Sequence, residues 1–530
     1  MMLLGTKMTT TEYKVVIPSA GLGSRLGSLT QNLNKSLLSI DSKPIISHIV
    51  EKFPKNIEIV VAVGYKKEVL KDYLKVAHGD RKITIVEIDK FMGEGSGLGY
   101  TLLKCEPYLK CPFIFCTNDT LIEGTIPSPD TNWLGYGGLL KDELYRSVNV
   151  SGGIATEIYD KNQKHIDAMI YIGVCGIYDF NIFWEEMNDG INHGAISMGE
   201  SYGLDKLLTK KIVYGKCFEN WADTGDIKSL ETIQNKNANL QKEDEALWIV
   251  NRKVIKYATD KQFIADRVER ADYLAGFVPK VTYSSNNIYA YDKIVGNTLE
   301  QCCTERNFKH VLEFLFSKFW MPEEGSSSFY RDFYHSKVSK RINQFFVKHK
   351  IEDGHTSING ETIPSIKSLI DKIPWDTIEN RKHRIHGDLH PSNIIMAENG
   401  DIYLIDWRQS FGLSKTSGDI YYDFAKLAHG CVVSHEIVGQ NLFTFTRDNS
   451  IINFNIYQTY HMSQCEKILR QRVENYGYCW AKVELIRSLI WLSSCSLHHY
   501  PYSEFLFYLG KYALYKYIHE SPTNMLYLSV

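Results

Sequence analysis

The stretch His386-Gly-Asp-Leu-His-Pro-Ser-Asn393, running on through Ile394-Ile-Met396 to Ile402-Tyr-Leu-Ile-Asp-Trp407, constrains this chain more than any other. Two short apolar runs rich in β-branched residues flank Asn399-Gly400, the strongest short-range hairpin signal. A two-residue turn there sets Glu398 opposite Asp401 and, counting outward, Asn393 opposite Asp406. Directly opposed side chains have Cβ atoms about 5 Å apart. A carboxamide and a carboxylate are then held side by side at the open end of the hairpin. That donor pair suits Mg²⁺, which takes hard oxygen ligands and usually only one or two from protein. Asp388 lies on the preceding loop with no Lys or Arg beside it in sequence, placed to accept a proton from an attacking hydroxyl.

These residues resemble the catalytic loop and metal-binding Asp of the kinase superfamily, with the His-x-Asp-x-x-x-x-Asn spacing complete. The wording His-Gly-Asp-Leu-His…Asn…Ile-Asp-Trp is closer to the aminoglycoside phosphotransferase and choline kinase branch. Protein kinases carry Asp-Phe-Gly where this chain has Asp406-Trp407-Arg408, and no Ala-Pro-Glu follows. The resemblance implies Asp388 as catalytic base and Mg²⁺ on Asn393 and Asp406.

A chain of 530 residues is too long for one ordinary core. Its 44% hydrophobic and 23% charged residues describe a globular protein. A net charge of -2 gives no electrostatic reason to propose nucleic acid or an anionic membrane as partner. The 11 Cys are scattered without Cys-x-x-Cys or zinc spacing and read as reduced thiols of a cytoplasmic protein. No apolar run approaches a membrane span, and the start lacks a signal peptide's apolar core. Small molecules are the expected partners; a homo-oligomer is compatible with the sequence.

In the first half, Tyr13–Pro18, Ile59–Val63, Ile83–Ile88 and Phe113–Thr117 read as buried strands, with helical segments at Lys66–Val76 and Gly99–Leu109 between them. Alternation of this kind predicts an α/β fold: a doubly wound, mostly parallel sheet, Rossmann-like, whose ligands sit beyond the carboxyl ends of the strands. The first strand runs into Ala20-Gly21-Leu-Gly23-Ser-Arg25-Leu-Gly27. A dinucleotide fingerprint is matched only weakly, because the third glycine comes one residue late and the second strand ends in Gly64-Tyr65 rather than an acid. What remains is a glycine turn whose N–H groups can cradle phosphates, followed by two cations, Arg25 and Lys35.

Gly21-Leu-Gly-Ser-Arg25-Leu, Asn34-Lys35-Ser-Leu-Leu and Lys43-Pro44 resemble the sugar-phosphate nucleotidyltransferase family over roughly residues 13 to 235. Asn34 stands where that family usually has Pro. The resemblance implies that Ala20, Gly21, Gly23, Arg25 and Lys35, with Gly95 and Gly97 of a second glycine loop, bind a nucleoside triphosphate, CTP or UTP. It implies Arg25 and Lys35 as the catalytic cations, and Mg²⁺ on Asp119 and on Asp223 of Trp-Ala-Asp-Thr-Gly. Asp119 also closes a strand where such sheets place ligands. The family's Glu-Lys-Pro, whose lysine grips the acceptor phosphate, has only Glu157-Ile-Tyr-Asp-Lys161 as a counterpart, so Lys161 is the acceptor candidate. No general base stands out here, as expected if the attacking group is already an anionic phosphate.

Residues 236–246 are polar and read as a linker between a domain at 1–235 and a two-lobed α+β kinase-like domain at 247–530, with a small lobe to about 298 and a helical large lobe beyond. By resemblance Lys256, with Lys253 as competitor, holds the ATP phosphates. Glu269 is its ion-pair candidate, with Asp266 and Asp272 competing. Ile288–Ile294, including Tyr291 and Ile294, meets adenine. Asp423 braces the catalytic loop, and Trp480 and Trp491 read as core. Joined, the halves imply a bifunctional enzyme: ATP-dependent phosphorylation of a sugar hydroxyl, then nucleotidyl transfer giving an NDP-sugar for cell-surface polysaccharide. The alternative is an amino alcohol such as choline, with CTP.

Overall fold

The computed structural model describes residues 12–139, 145–161, 163, 165, 167–233, 244–324, 330–375 and 380–520. The chain divides into two compact units. One is Met1–Lys261 with Thr282–Lys293; the other is Gln262–Val281 with Ile294–Val530.

The first unit is built on β1 (Lys14–Ser19), β2 (Glu58–Val63), β3 (Ile83–Glu87) and β4 (Phe113–Cys116), each within a residue or two of its expected place. They run parallel in the order β3-β2-β1-β4. β1 and β2 are apolar nearly end to end because helices cover both faces. Those helices include α1 (Lys67–Ala77) and α2 (Leu98–Cys105). Beyond β4 the sheet becomes mixed. β5 (Thr120–Ile122) leaves the main sheet, while β6 (Trp133–Leu139), β7 (Ser147–Ser151), β8 (Ile154–Tyr159), β9 (Met169–Ile177) and β10 (Tyr214–Cys217) complete nine strands. β9 enters antiparallel to β4, and the pairings beyond it are antiparallel except that β10 runs parallel to β6. A short β11 (Trp221–Asp223) pairs antiparallel with β5 and sets Asp223 opposite Thr120.

The linker expected at 236–246 lies mostly outside the described residues. After it, β12 (Glu245–Val250), β13 (Lys253–Ala258), β14 (Val281–Ser284) and β15 (Ile288–Asp292) form a four-stranded sheet. The sequence assigns this sheet to the kinase-like half, but it packs into the first unit. Trp248, Ile255, Ile288 and Ala290 join the core that contains Val15 and Ile59. Trp248 meets Tyr73 of α1 edge-on at 5.0 Å, and Asn251 Nδ2 donates to Ala77 O at 2.7 Å.

The second unit opens with α3 (Lys261–Tyr273), all but its first residue belonging here. It contains a three-stranded sheet of β16 (Gly296–Thr298), β17 (Ile394–Ala397) and β18 (Ile402–Leu404). Its helices include α4 (Tyr330–His349), α5 (Ile420–Val432), α6 (Tyr460–Asn475), α7 (Trp480–Ser494) and α8 (Tyr502–Glu520). α7 is buried along nearly its whole length, with Trp480 and Trp491 in the core. No described helix is long and apolar enough to cross a membrane.

The β17–β18 hairpin closes differently from the expected two-residue turn. Met396 pairs with Ile402, so the loop is the three residues Glu398-Asn399-Gly400, with Gly400 left-handed at φ 88°. The register slips by one, and Asn393 O accepts from Ile405 N at 2.8 Å. Asn393 and Asp406 are therefore not cross-strand partners. A slip of one residue turns a side chain to the opposite face. Here Asp406 itself takes a left-handed conformation, φ 58°, which redirects the chain at the end of the strand.

Candidate active sites

In the first unit, Ala20, Gly21, Arg25, Lys35, Gly97, Asp119, Lys161 and Asp223 line one cleft of about 400 Å³ beyond the ends of β1 and β4. Gly23 is not on its wall but supports it. Gly23 is left-handed at φ 69°, and a Cβ there would sit 3.0 Å from Lys35 Cβ. Gly95 also lies off the wall. Gly97 approaches Ile196 so closely that a Cβ would come 2.3 Å from its carbonyl oxygen. Asn34, standing in place of Pro, is fully buried. Its Nδ2 donates to Ser19 O and Tyr65 O at 2.9 Å each, and its Oδ1 accepts from Ser36 N, tying the glycine turn to the lysine loop.

The charges in this cleft converge. Lys35 Nζ lies 2.8 Å from Asp119 Oδ2. Asp119 O accepts from both N and Oγ1 of Thr224 at 2.9 Å, which locks the Trp-Ala-Asp-Thr-Gly turn onto the end of β4. Asp223 accepts from Gly225 N at 2.7 Å and Tyr145 OH at 2.9 Å. Asp223 Oδ1, Arg25 Nη2 and Asp119 Oδ2 all lie within 3.2 Å of the point where a Cβ on Gly225 would fall. Burial would raise the Asp119 carboxyl, but Lys35 and Arg25 outweigh it and hold the group below its usual range. Asp223 is pushed up, first by burial and then by Asp119. Two hard carboxylates that repel each other, with a cation on one side, form a donor set that fits Mg²⁺.

Lys161 is pushed down, first by burial and then by Arg25 and Arg146. Arg146, Tyr145, Tyr171 and Glu200 also line the cleft and were not legible in the sequence. Glu200 is buried with Oε2 lacking any hydrogen-bond partner, and burial raises its carboxyl.

In the second unit, the loop carrying Asp388 hangs from α5. Asp423, fully buried, accepts from His386 N at 2.7 Å, Gly387 N at 2.8 Å and Trp320 Nε1 at 3.1 Å. Burial pushes its carboxyl up to about 6, and the same cause pushes His386 down to about 3. Asn393 Nδ2 donates to Asp388 O at 2.9 Å, which orients the carboxamide. Three residues along α5 from Asp423, and so on the same helix face, Lys426 places Nζ 2.6 Å from Asp388 Oδ1. Burial would raise Asp388, but Lys426 and His390 outweigh it and hold the carboxyl well below its usual range. Lys426 was missed because its link to Asp388 is tertiary, although its spacing from Asp423 was readable.

Asp406 Oδ1 accepts from Arg267 Nη1 of α3 at 2.6 Å. The Glu269 carboxylate lies 2.6 Å from Lys415 Nζ, which also reaches Asp266 at 2.8 Å. The residues expected around ATP fall in both units, Lys256 and Tyr291 in the first, Glu269 and Ile294 in the second. Asn393 and Asp406 supply oxygen donors of the kind Mg²⁺ takes. Among the described residues no group of three or more His, Cys, Asp or Glu is poised to hold a metal.

The phosphotransferase enzyme family model matches residues 361–444, the segment holding Asp388, Asn393, Asp406, Asp423 and Lys426. The chain is also similar to the bifunctional protein GlmU of Methanococcus vannielii, 35% identical over 222 residues, which are 40% of this chain and 51% of that protein. A choline-phosphate cytidylyltransferase of Streptococcus pneumoniae is 42% identical over 72 residues, 13% of this chain and 31% of that one. The chain spans about half or less of the length of these curated relatives. The solved CTP:phosphocholine cytidylyltransferase of S. pneumoniae covers 42% of this chain and 98% of its own, at 19% identity and a TM-score of 0.36. The N-terminal half thus resembles nucleotidyltransferases, and the C-terminal half carries a phosphotransferase segment.

Proposed function

We propose that the chain is a bifunctional transferase that phosphorylates a hydroxyl with ATP and then couples the phosphate to a nucleoside monophosphate. The observation that carries this reading is that two separate sites each hold acids against cations: Lys35 and Arg25 with Asp119 and Asp223, and Lys426 and Arg267 with Asp388 and Asp406. The first set suits a triphosphate and an anionic acceptor. Arg25 and Lys35 would neutralise the phosphates and hold the α-phosphorus in line with the attacking phosphate oxygen. Lys161 and Arg146 would receive the acceptor phosphate, and no base is required. The second set suits a neutral hydroxyl, whose proton Asp388 would accept. Asp119 and Asp223 in one unit, and Asn393 and Asp406 in the other, would hold Mg²⁺, which supplies charge neutralisation at the phosphates. Lys35 and Lys426 stand against the very acids that bound substrate would engage, which keeps those acids neutralised before binding.

The acceptor favoured here is a sugar, with UTP or CTP as second nucleotide and an NDP-sugar for cell-surface polysaccharide as product. The similarity to a choline-phosphate cytidylyltransferase supports a second reading, an amino alcohol with CTP. Incubation with each nucleotide and a panel of sugars and amino alcohols, following pyrophosphate and the NDP conjugate, tests both. Pyrophosphate release that survives Asp119→Ala removes the first assignment.

A further inference from the structure

We propose that the alcohol phosphorylated by the second unit carries an anionic group of its own, a carboxylate or phosphate, held by Lys337 and Arg408 beside Asp388. The inference rests on the phosphotransferase reading and narrows its acceptor.

Lys337 of α4 donates from Nζ to Tyr422 OH at 2.7 Å, and Arg408 Nη1 donates to the same hydroxyl at 3.4 Å. Among the described residues neither cation forms an ion pair with a carboxylate, and Arg408 Nε is buried without a partner. Both sit over aromatic faces instead. Lys337 Nζ is 5.2 Å from the Phe333 ring centroid, and Arg408 Cζ is 5.4 Å from it. Aromatic faces stabilise a cation without neutralising it. Two half-buried positive charges therefore share one phenol, an arrangement that costs free energy unless an anion completes it.

The cluster adjoins the reacting groups. Arg408 N donates to His386 O at 3.1 Å, and a Cβ on Gly387 would fall 2.9 Å from Arg408 Cβ. Lys426, one helical turn beyond Tyr422, grips Asp388. Burial pushes Lys337 down to about 8. Tyr422 reaches about 8 because Lys337, Lys426 and Arg408 outweigh the opposing effect of burial. An anionic acceptor group would settle on Lys337 and Arg408, with Arg408 offering the planar fork that matches carboxylate or phosphate. The acceptor hydroxyl then gives its proton to Asp388, and its oxygen bonds to the γ-phosphorus of ATP. The bond from that phosphorus to the bridging oxygen breaks, and ADP leaves. A quaternary or primary ammonium in the same place would meet two like charges.

The full-length chain can be trace-labelled with acetic anhydride and the modification of Lys337 read by mass spectrometry, at constant ionic strength, with gluconate, inorganic phosphate, glucose or choline added. The expected result is that gluconate or phosphate slows labelling of Lys337 at least about fivefold, while glucose and choline do not. Equal protection by choline or glucose, or no protection by either anion at tens of millimolar, overturns the proposal. Lys337→Met and Arg408→Gln, each checked for fold by circular dichroism, should raise KM for a hydroxy-acid acceptor roughly 10- to 100-fold, the loss of one charge-assisted bond. KM for ATP should stay unchanged; a matching rise would assign the cations to the nucleotide and also overturn it. Phosphorylation that persists in Asp388→Ala removes the phosphotransferase reading instead, without altering the labelling result.

Discussion

Removing the charge on Lys35 should reveal how the first unit holds its acids. Lys35 Nζ and Asp119 Oδ2 are 2.8 Å apart, and both side chains are 18% exposed. At an effective dielectric constant near 20, the direct attraction at that distance is about 6 kcal/mol. Desolvation of two largely buried ions takes back several kcal/mol, leaving a net coupling of about 1–3 kcal/mol. A double-mutant cycle of Lys35→Met and Asp119→Asn, read by urea unfolding at pH 7, should return that coupling. Asp119 is held below its usual range, so its contribution is present above the unfolded-state carboxylate range and is lost as pH falls through the folded value. The coupling should therefore be full at pH 7 and vanish in strong acid. Lys35→Met should also lower kcat/KM for nucleotidyl transfer by roughly 10- to 100-fold, as expected for one charge-assisted phosphate contact, and leave the ATP-dependent step unchanged. A coupling below about 0.5 kcal/mol at pH 7, or one that grows in acid, would refute the reasoning.

Other substitutions test neighbouring parts. Asp388→Ala should reduce ATP-dependent phosphorylation by roughly 10²–10⁴-fold while pyrophosphate release from a supplied phosphorylated acceptor persists. Asp423→Ala strips three buried donors of their acceptor. At about 1–3 kcal/mol each, it should lower unfolding free energy by at least about 3 kcal/mol, measured by denaturant titration. Asn34→Pro fits the backbone, since φ is -66°, yet orphans Ser19 O, Tyr65 O and Ser36 N. It should lower Tm in a thermal scan rather than raise it. Gly387→Ala meets both a left-handed φ of 86° and a contact on Arg408, and it should impair the phosphotransfer step more than overall stability.

Local pattern made much of the fold readable. Unbroken apolar runs at β1, β2 and β4, short and rich in β-branched or aromatic residues, fit strands covered on both faces, and Lys66–Val76 has helical character. Arg25, Lys35 and Asp119 were separable as candidates because a glycine turn and a strand end put them where such sheets open, whereas Ala20 and Asp223 entered only through the family resemblance. What could not be read depends on long-range placement. Arg146, Lys426 and Arg267 reach their partners through tertiary contacts that leave no sequence pattern. The β17–β18 register failed for a specific reason: Asn-Gly serves either a two-residue turn or a three-residue loop with a left-handed glycine, and only the second occurs here. Trp248 and its neighbours follow the polar linker and were therefore assigned to the kinase-like half, because a generic apolar strand carries no mark of the core that buries it.

The central claim is that two independent acid–cation sites act in sequence, and a two-step product chase tests it most directly. Wild type, Asp119→Ala and Asp388→Ala are each given ATP, a second nucleoside triphosphate and either the free acceptor or its phosphate. The account predicts that Asp119→Ala stops at the phosphorylated acceptor, and that Asp388→Ala forms the NDP conjugate only when the phosphorylated acceptor is supplied. NDP conjugate made from free acceptor by Asp388→Ala, or by Asp119→Ala from either acceptor, would contradict it.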